Sequence, residues 1–246
     1  TNLVPTATIS DPNQTVTISN PSVGPQYSEN IDVSLQYYLR PAGVVSLGYF
    51  RKDIQDYILT TDIGIVGVGA DNGFEGSYPG YRLLASRNAG QAKVNGWEFD
   101  YRQQLTFLPD WLQGFAVSAN YTFLSTEGDF GGGTVRSDKE VAGFIPRTGN
   151  AGFTYGRGKY RFSAQLNYTG NYLATFSATP QRNIYRAERT IVNFGLGYQW
   201  KPAVSFFLDL ANAFNEPQQA YIGYENRQQR VINTGQAVTF GVNGRF

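Results

Sequence analysis

The sequence predicts an all-β protein, a transmembrane antiparallel β-barrel to which this chain contributes about nine strands. Three observations predict this class. Apolar and polar residues alternate along about nine segments, short and long connections alternate between those segments, and aromatic residues make up 15% of the 246 residues. In such a barrel the strands present apolar side chains to lipid, polar side chains to the lumen and aromatic rings to both membrane interfaces.

Each predicted strand follows a two-residue period, which places alternate side chains on opposite faces of a sheet. In the first segment, Ile31 and Val33 alternate with Asp32. In the second, the phase slips at Phe50-Arg51, and we predict a β-bulge there. The alternating segments are, in chain order, 31–39, 45–58, 97–102, 115–123, 151–155, 160–168, 192–200, 204–210 and 238–246.

The last segment has the most distinctive pattern. Val238, Phe240 and Val242 share one face with Phe246, whereas the intervening residues are polar or glycine. An amphipathic strand is common in soluble sandwiches. A strand that ends on an aromatic residue fits the interfacial aromatic girdle of an outer-membrane barrel.

The connections separate the barrel from a soluble sandwich. Residues 40–43, 108–111, 156–159 and 201–203 are tight turns with Pro or Gly, whereas the connections at about 61–93, 126–147, 173–189 and 215–235 are long. Strict alternation of short and long connections is typical of short periplasmic turns and long extracellular loops. A sandwich would also bury its second apolar face against another sheet, yet the faces opposite the apolar ones carry charges and amides.

Strand parity predicts a partial barrel. If Phe246 lies at the periplasmic side, about nine strands place the start of the first strand outside. Single-chain bacterial barrels have an even number of strands. About nine strands that begin outside therefore cannot form a complete barrel of this kind. Open sheet edges are not tolerated in lipid, so we expect the missing strands before Thr1 or on another chain. The predicted organisation is an extracellular loop or lead-in segment at 1–27 and a partial transmembrane barrel at 28–246, with no plug domain.

Composition argues against several other functions. The chain has no His and no Cys and a net charge of +1, which disfavours His- or thiolate-bound metals, disulfides, hydrolytic triads and nucleic-acid binding. Glycines within 64–73 do not have dinucleotide-binding spacing. The acidic stretches 71–75 and 128–133 lack full calcium-ligand spacing and are interpreted as turns. We therefore predict no enzyme activity, no cofactor and no metal site.

Candidate functional residues fall into two groups. Acid/base catalysis by Glu98 and Asp100 is disfavoured, because no cleft or second element supports it. Instead, a lumenal salt-bridge ladder is predicted, and the lumen-facing candidates are Glu98, Asp100, Arg102 and Arg161. The outer loops place Arg near Tyr, a combination that suits anionic ligands or stacking on sugars and aromatic chelators; contact with lipopolysaccharide phosphate is the alternative. The loop candidates are Arg182, Tyr185, Arg186, Tyr221, Tyr224, Arg227 and Arg230.

Several segments, taken in order, resemble one known family. The stretch 20–38 resembles the Asn-Pro-x-Leu-x-Pro-Glu lead-in and descending strand of TonB-dependent receptors, with Val23 in place of the Leu and Gln26 in place of the Glu. Further pieces that resemble the family are 49–58, 95–100, 208–215 and the closing strand with Phe246.

The resemblance implies the C-terminal part of a barrel of about 22 strands, closed by an N-terminal plug, in the outer membrane of a Gram-negative bacterium. Such receptors import ferric siderophores, cobalamin or oligosaccharides with energy from the TonB complex, which contacts the plug, and no segment of this chain corresponds to plug or contact box. The implied partners are outer-membrane lipid and lipopolysaccharide, the remaining strands and plug, TonB, and the barrel-assembly machinery, which reads Phe246. The alternatives are a passive or structural barrel completed by other chains and, more remotely, an outer-membrane enzyme.

Overall fold

Nine long strands form one antiparallel sheet, here called the barrel sheet, in a computed structural model that describes residues 6–88, 90–129, 137–138, 140–177 and 179–244. From one edge to the other they are β18 (Ala237–Gly244), β15 (Val204–Ala211), β14 (Arg189–Lys201), β11 (Tyr160–Thr169), β10 (Arg147–Arg157), β8 (Phe115–Asp129), β7 (Gln91–Gln104), β4 (Gly43–Gln55) and β3 (Tyr27–Leu39). The predicted number of strands is confirmed.

Two smaller sheets are built from the long connections. The N-terminal loop sheet has the order β1 (Ala7–Ser10), β2 (Thr15–Ile18), β6 (Arg82–Asn88) and β5 (Ile58–Ile65), with β2 and β6 parallel. The C-terminal loop sheet has the order β12 (Tyr172–Thr175), β13 (Ile184–Arg186), β16 (Gln218–Ile222) and β17 (Gln228–Ile232). The two-residue strand β9 (Ser137–Asp138) pairs with the end of β8.

Short and long connections alternate along the barrel sheet as predicted. The long ones, which connect β4 to β7, β8 to β10, β11 to β14 and β15 to β18, lie at the extracellular end, and three of the predicted loops, 61–93, 173–189 and 215–235, contain strands of the two smaller sheets. Residues 6–26, within the predicted lead-in, also contain strands. The remaining elements are single 3₁₀ turns at Asp11–Asn13, Asp110–Leu112 and Pro180–Arg182. Among the described residues, no helix has the length and apolarity needed to cross a membrane.

One face of the barrel sheet is apolar across its whole width. Val33, Tyr49, Trp97 and Phe123 are aligned across four neighbouring strands. Val33, Trp97 and Phe123 are 63%, 50% and 45% exposed. At the opposite end of the strands, Tyr160 stacks obliquely on a neighbouring ring across β11 and β14. An exposed apolar face bordered by two aromatic rows is the lipid-facing surface of a transmembrane barrel.

The predicted bulge at Phe50-Arg51 is wrong. The pairing of β4 with β3 and with β7 continues without a register shift through this point. The apolar residues change face instead: Phe50 and Ile54 point to the inner face, where Ile54 is buried with Val94 and Phe176. The phase of the pattern therefore changes because the strands leave the lipid, so that the outer face becomes polar while the inner face is covered by loops.

Candidate functional site

The inner face of the barrel sheet is lined by a row of polar side chains. Ser46, Asp100, Asn120, Asn150 and Asn167 are aligned across five adjacent strands. The Asn150 side-chain amide donates a hydrogen bond to Asn120 Oδ1 at 2.9 Å. Because these residues alternate with the lipid-facing ones, they lie on the lumen side of the wall.

The predicted ladder of charges in β7 consists of one ion pair. Arg102 Nε lies 3.3 Å from Asp100 Oδ1, and the two side chains are 69% and 31% exposed. An exposed pair of this kind contributes about 0–1 kcal/mol. Glu98 shares their face but forms no ion pair with any described residue. Its partner on the neighbouring strand β8 is Thr122.

Arg161 lies apart from these residues, near the short turn between β10 and β11. It faces Gly156 on one neighbouring strand and Gly197 on the other. Because glycines carry no side chain, the wall recedes here into a cavity of about 600 Å³ that Arg161 shares with Ser163 and Asp209. The structure thus places the lumen-facing candidates in two groups at different depths.

The loop candidates meet in the C-terminal loop sheet. Tyr185 lies opposite Tyr221 across β13 and β16, and the two rings stack with centroids 5.2 Å apart and an interplanar angle of 11°. The Tyr185 hydroxyl donates to Glu140 Oε2 at 2.9 Å. Tyr185 also packs against the buried cluster that includes Leu173. This face of the sheet therefore packs against the neighbouring loops.

The arginines occupy the opposite face. Arg186 and Arg230 both lie opposite Ala220, one on each side of β16. Adjacent residues of a strand point in opposite directions, so Arg186 cannot share a surface with Tyr185, which precedes it. The tyrosine opposite Arg186 is Tyr172, across β12 and β13. Sequence reasoning missed Tyr172 because the two residues are distant in the chain.

The remaining loop candidates lie at the tip of the same sheet. Arg227 Nη1 donates to the Gln181 carbonyl at 3.2 Å, which joins the two long connections. Arg182 ends a 3₁₀ turn, and Tyr224 is 57% exposed. These three residues form a polar rim beyond the strands.

A cavity of about 330 Å³ opens beside Tyr221. Its wall includes Glu188, Glu225 and Gln228. Burial is the main cause that raises the pKa of Tyr221; a hydrogen bond with Asn171 lowers it, and nearby carboxylates, Glu225 first, raise it further. The neutral phenol is therefore the form that the folded sheet favours.

Replacing Tyr221 by phenylalanine is expected to reduce the alkaline sensitivity of the C-terminal loop sheet. A raised folded pKa adds stability that is complete below the unfolded value of about 10 and is lost as the pH rises through the folded value. Hydrogen exchange of residues 218–232 measured from about pH 8 to about pH 11 checks this. The exposed Tyr224→Phe variant is the control, and an equal change in both variants would contradict the assignment.

Asn212 organises the base of the last long connection. It is 7% exposed and has a left-handed backbone with φ of 51°. Its side-chain amide donates to the carbonyls of Glu216 and Gly235 at 3.2 and 3.0 Å and to Thr234 Oγ1 at 3.3 Å, and its Oδ1 accepts from Glu216 N at 2.8 Å. Its backbone N–H donates to Asn193 Oδ1. The family-like stretch 208–215 contains this residue, and that stretch is the signal that could have identified it.

Other predictions concern the acidic stretches and the terminal residue. Residues 71–75 form turns and bends, and Asn72 Oδ1 accepts from the backbone N–H groups of Phe74 and Gly76. Part of 128–133 lies outside the described residues, as does Phe246. Among the described residues there is no group of three or more acidic, His or Cys side chains that could hold a metal ion.

The sequence profile of the family described as "TonB dependent receptor-like, beta-barrel" matches residues 3–213, most of the chain. The chain belongs to this family. Barrels of this family are outer-membrane proteins of Gram-negative bacteria, and the family is one of receptors and transporters.

Similar proteins include a haemoglobin-binding protein, a siderophore receptor and a ferric-catecholate import receptor. The chain is 22% identical over 152 residues to the "Probable hemoglobin and hemoglobin-haptoglobin-binding protein 4" of Haemophilus influenzae, covering 62% of this chain and 14% of that protein. The siderophore receptor PirA of Acinetobacter baumannii superposes with a TM-score of 0.61 at 16% identity, covering 94% of this chain and 33% of the other. The ferric-catecholate import receptor Fiu of Escherichia coli gives a TM-score of 0.61 at 13% identity, covering 93% and 29%. The chain thus spans about a third or less of these proteins.

Proposed function

We propose that the chain forms wall and extracellular loops of an outer-membrane receptor for TonB-dependent uptake of an iron-bearing ligand. The observation that carries this proposal is the cationic face of the C-terminal loop sheet. Arg186 and Arg230 flank the buried Ala220 there, and within the described residues neither guanidinium forms an ion pair. Unpaired arginines are suited to carboxylate, hydroxamate and catecholate oxygens, and the relatives that bind siderophores or haemoglobin support this class of ligand.

The inner face of the barrel sheet lines the rest of the path that we propose for the ligand through the lumen. Asp100, Asn120 and Asn150 offer hydrogen-bonding groups along the wall, and Arg161 and Asp209 border the recess nearer the periplasmic end. A polar wall is compatible with a hydrated lumen through which a polar ligand passes. We propose that these residues line the uptake path without forming the first binding site.

The proposal includes several partners. Further barrel strands are needed beside β3 and β18, each of which is paired on one side only within the described sheet. A plug would close the lumen and receive energy from TonB. Outer-membrane lipid and lipopolysaccharide surround the wall, and the barrel-assembly machinery recognises Phe246. We assign no enzymatic role to the chain.

Radiolabelled-iron uptake by the bacterium that carries this gene tests the proposal. Deletion of the gene is expected to abolish uptake of the cognate ferric ligand, and deletion of TonB is expected to have the same effect. A panel of ferric catecholate, ferric citrate and haem identifies the ligand class. Uptake that continues without TonB would instead support a passive barrel.

The Arg186→Ala, Arg230→Ala double variant tests the cationic face itself. Removal of two charge-assisted contacts is expected to weaken ligand binding about 100-fold, as measured by ferric-ligand titration of the purified receptor. Arg157→Ala, at the exposed end of β10 near a short turn, is the matched control. Unchanged affinity in the double variant would rule out this face as the binding surface.

A further inference from the structure

An ordered loop closes the hairpin between β5 and β6 at the extracellular tip of the N-terminal loop sheet. At the neck of this loop, Val66 N donates to the Tyr81 carbonyl at 2.8 Å. Asn72 fixes the residues between them, because its side-chain amide donates to the carbonyls of Gly67 and Ser77 at 3.1 and 2.9 Å. Surface loops of this length that are held together by their own side chains are frequently functional.

The loop and the strand that leads into it expose three aliphatic side chains. Ile63, Ile65 and Val68 are 45%, 61% and 92% exposed. Ile63 lies at the register shift between Asp62 and Gly64 in the pairing of β5 with β6, and a bulge of this kind re-aims a side chain. The three residues lie within about 18 Å of one another, because five fully extended residues span no more than this. Exposed aliphatic groups gathered in this way are typical of an interaction surface.

Membrane lipid does not account for this exposure. Tyr49 belongs to the upper aromatic row, and β4 continues six residues beyond it to Gln55 before β5 begins. Six residues of a strand tilted by about 45° rise about 14 Å along the membrane normal. The headgroup region is only about 5–8 Å thick on each side, because a core of about 30 Å lies within a total of about 40–45 Å. β5 therefore begins above the headgroup layer, and a partner from the aqueous side is needed to cover its aliphatic residues.

The tip is also acidic. Asp71 and Glu75 lie in the loop, both are exposed, and neither forms an ion pair within the part of the chain that the structure describes. Residues 1–39 and 53–81, which supply three of the four strands of this sheet, contain no Lys or Arg. The C-terminal loop sheet differs in charge, because it carries the arginines proposed for the iron-bearing ligand.

Two cations on the fourth strand do not neutralise the tip. Arg82 Nε donates to Asp62 Oδ2 at 3.0 Å, so this cation is matched by a carboxylate that precedes the loop. Arg87 lies five residues further along β6, toward the barrel sheet. The negative charges of Asp71 and Glu75 therefore remain uncompensated, and charge complementarity favours a positively charged partner.

We propose that this tip docks a basic polypeptide that presents apolar side chains beside its cations. Ile63, Ile65 and Val68 receive the apolar groups, and Asp71 and Glu75 receive the ammonium or guanidinium groups. Because the loop is already folded, little further ordering is needed for association, and its charge accelerates the encounter at low ionic strength. The inference goes beyond the proposed uptake, because it uses the other loop sheet and requires no iron.

Fluorescence anisotropy of a labelled Lys-Val-Lys-Val-Lys-Val-Lys peptide mixed with the purified receptor tests the proposal. The Val68→Ser variant is expected to bind this peptide about 5- to 10-fold more weakly. The Asp71→Asn, Glu75→Gln double variant is expected to bind it about 10-fold more weakly and with a smaller dependence on salt. Val231→Ser and Glu225→Gln are the matched controls, because both side chains are exposed at the C-terminal loop sheet. None of the replaced side chains is buried, so the fold is expected to tolerate each change.

Two further peptides separate charge from apolar contact. Lys-Ser-Lys-Ser-Lys-Ser-Lys keeps the charge and Glu-Val-Glu-Val-Glu-Val-Glu keeps the apolar groups, and each is expected to bind the original receptor about 10-fold more weakly than the first peptide. Equal binding of the Lys-Ser peptide would show ion exchange only and overturn the proposal. Unchanged binding by either tip variant, or an equal loss in its control, would do the same.

The original receptor itself gives a further decisive result. If it bound none of the peptides, another part of the receptor would cover the tip, and the proposal would be wrong. Iron uptake by the Val68→Ser variant is measured in parallel and is expected to be unchanged. Failure of this inference is therefore distinguishable from failure of the receptor function.

Discussion

Replacing Asn212 by alanine is expected to open the last long connection of the barrel. The substitution removes the side-chain partner of two carbonyls, one hydroxyl and one backbone N–H. It also places alanine in a left-handed conformation that asparagine tolerates better. We expect a loss of about 3 kcal/mol in local stability. Trypsin should then cleave at Arg227 and Arg230 about 100-fold faster, because cleavage follows the population of the open segment.

Asn215→Ala is a closely matched control for this result. Asn215 also has a left-handed backbone, with φ of 54°, and lies three residues further along the same turn. It is exposed, and its side chain forms no hydrogen bond with the described part of the chain. Its replacement should therefore reveal the backbone cost alone. If both variants were cleaved equally fast, the side-chain network of Asn212 would not be what holds the connection.

Replacing Gly96 by alanine is expected to destabilise the barrel sheet itself. An added Cβ would lie 2.5 Å from the Phe123 carbonyl oxygen, 2.7 Å from Phe50 Cζ and 2.9 Å from Leu124 Cβ. The Phe50 ring can shift, but the Phe123 carbonyl belongs to the backbone of the adjacent strand, so this contact can relax only if the two strands separate. We expect the free energy of unfolding to fall by about 3 kcal/mol, at the upper end of the cost of overpacking. Urea titration in detergent, followed by tryptophan fluorescence, measures the change.

Gly156→Ala separates this clash from the general effect of alanine in a strand. Gly156 lies in β10 of the same sheet, and an added Cβ there would have no neighbour within 4 Å. The control is expected to change stability little, or to raise it slightly by restricting the unfolded chain. A similar loss in both variants would mean that the contacts around Gly96 are not the cause.

The strands of the wall could be predicted from the sequence because the alternation within each strand reflects lipid on one side and the lumen on the other. A two-residue period needs no knowledge of the neighbouring strand, and the alternation of Val33 with Ser34 is visible without a structure. The same reasoning failed at Phe50-Arg51. There the strand pairing continues without a break, but the apolar residues move from the lipid-facing side to the loop-covered side, and a single sequence cannot distinguish that change from an inserted residue.

The loop sheets could not be predicted, because their strands are short and pair over long distances. Ile184–Arg186 has three residues, and its partner on β16 lies more than thirty positions away. The period of so short a segment carries little information. For the same reason the sequence placed Tyr185 and Arg186 together as neighbours in the chain, whereas the sheet separates them and brings Arg186 beside Tyr172.

Tyr185 and Arg186 lie on opposite faces of the C-terminal loop sheet, and this arrangement limits how the loops of such a barrel can change length. A one-residue insertion that shifted the pairing of β13 with β16 would exchange their faces, placing a charge against the buried loop cluster and a ring on the exposed surface. An insertion of two residues would restore both. Evolution can therefore lengthen this sheet in pairs of residues with its charge pattern intact, while each odd step inverts the surface that the receptor presents.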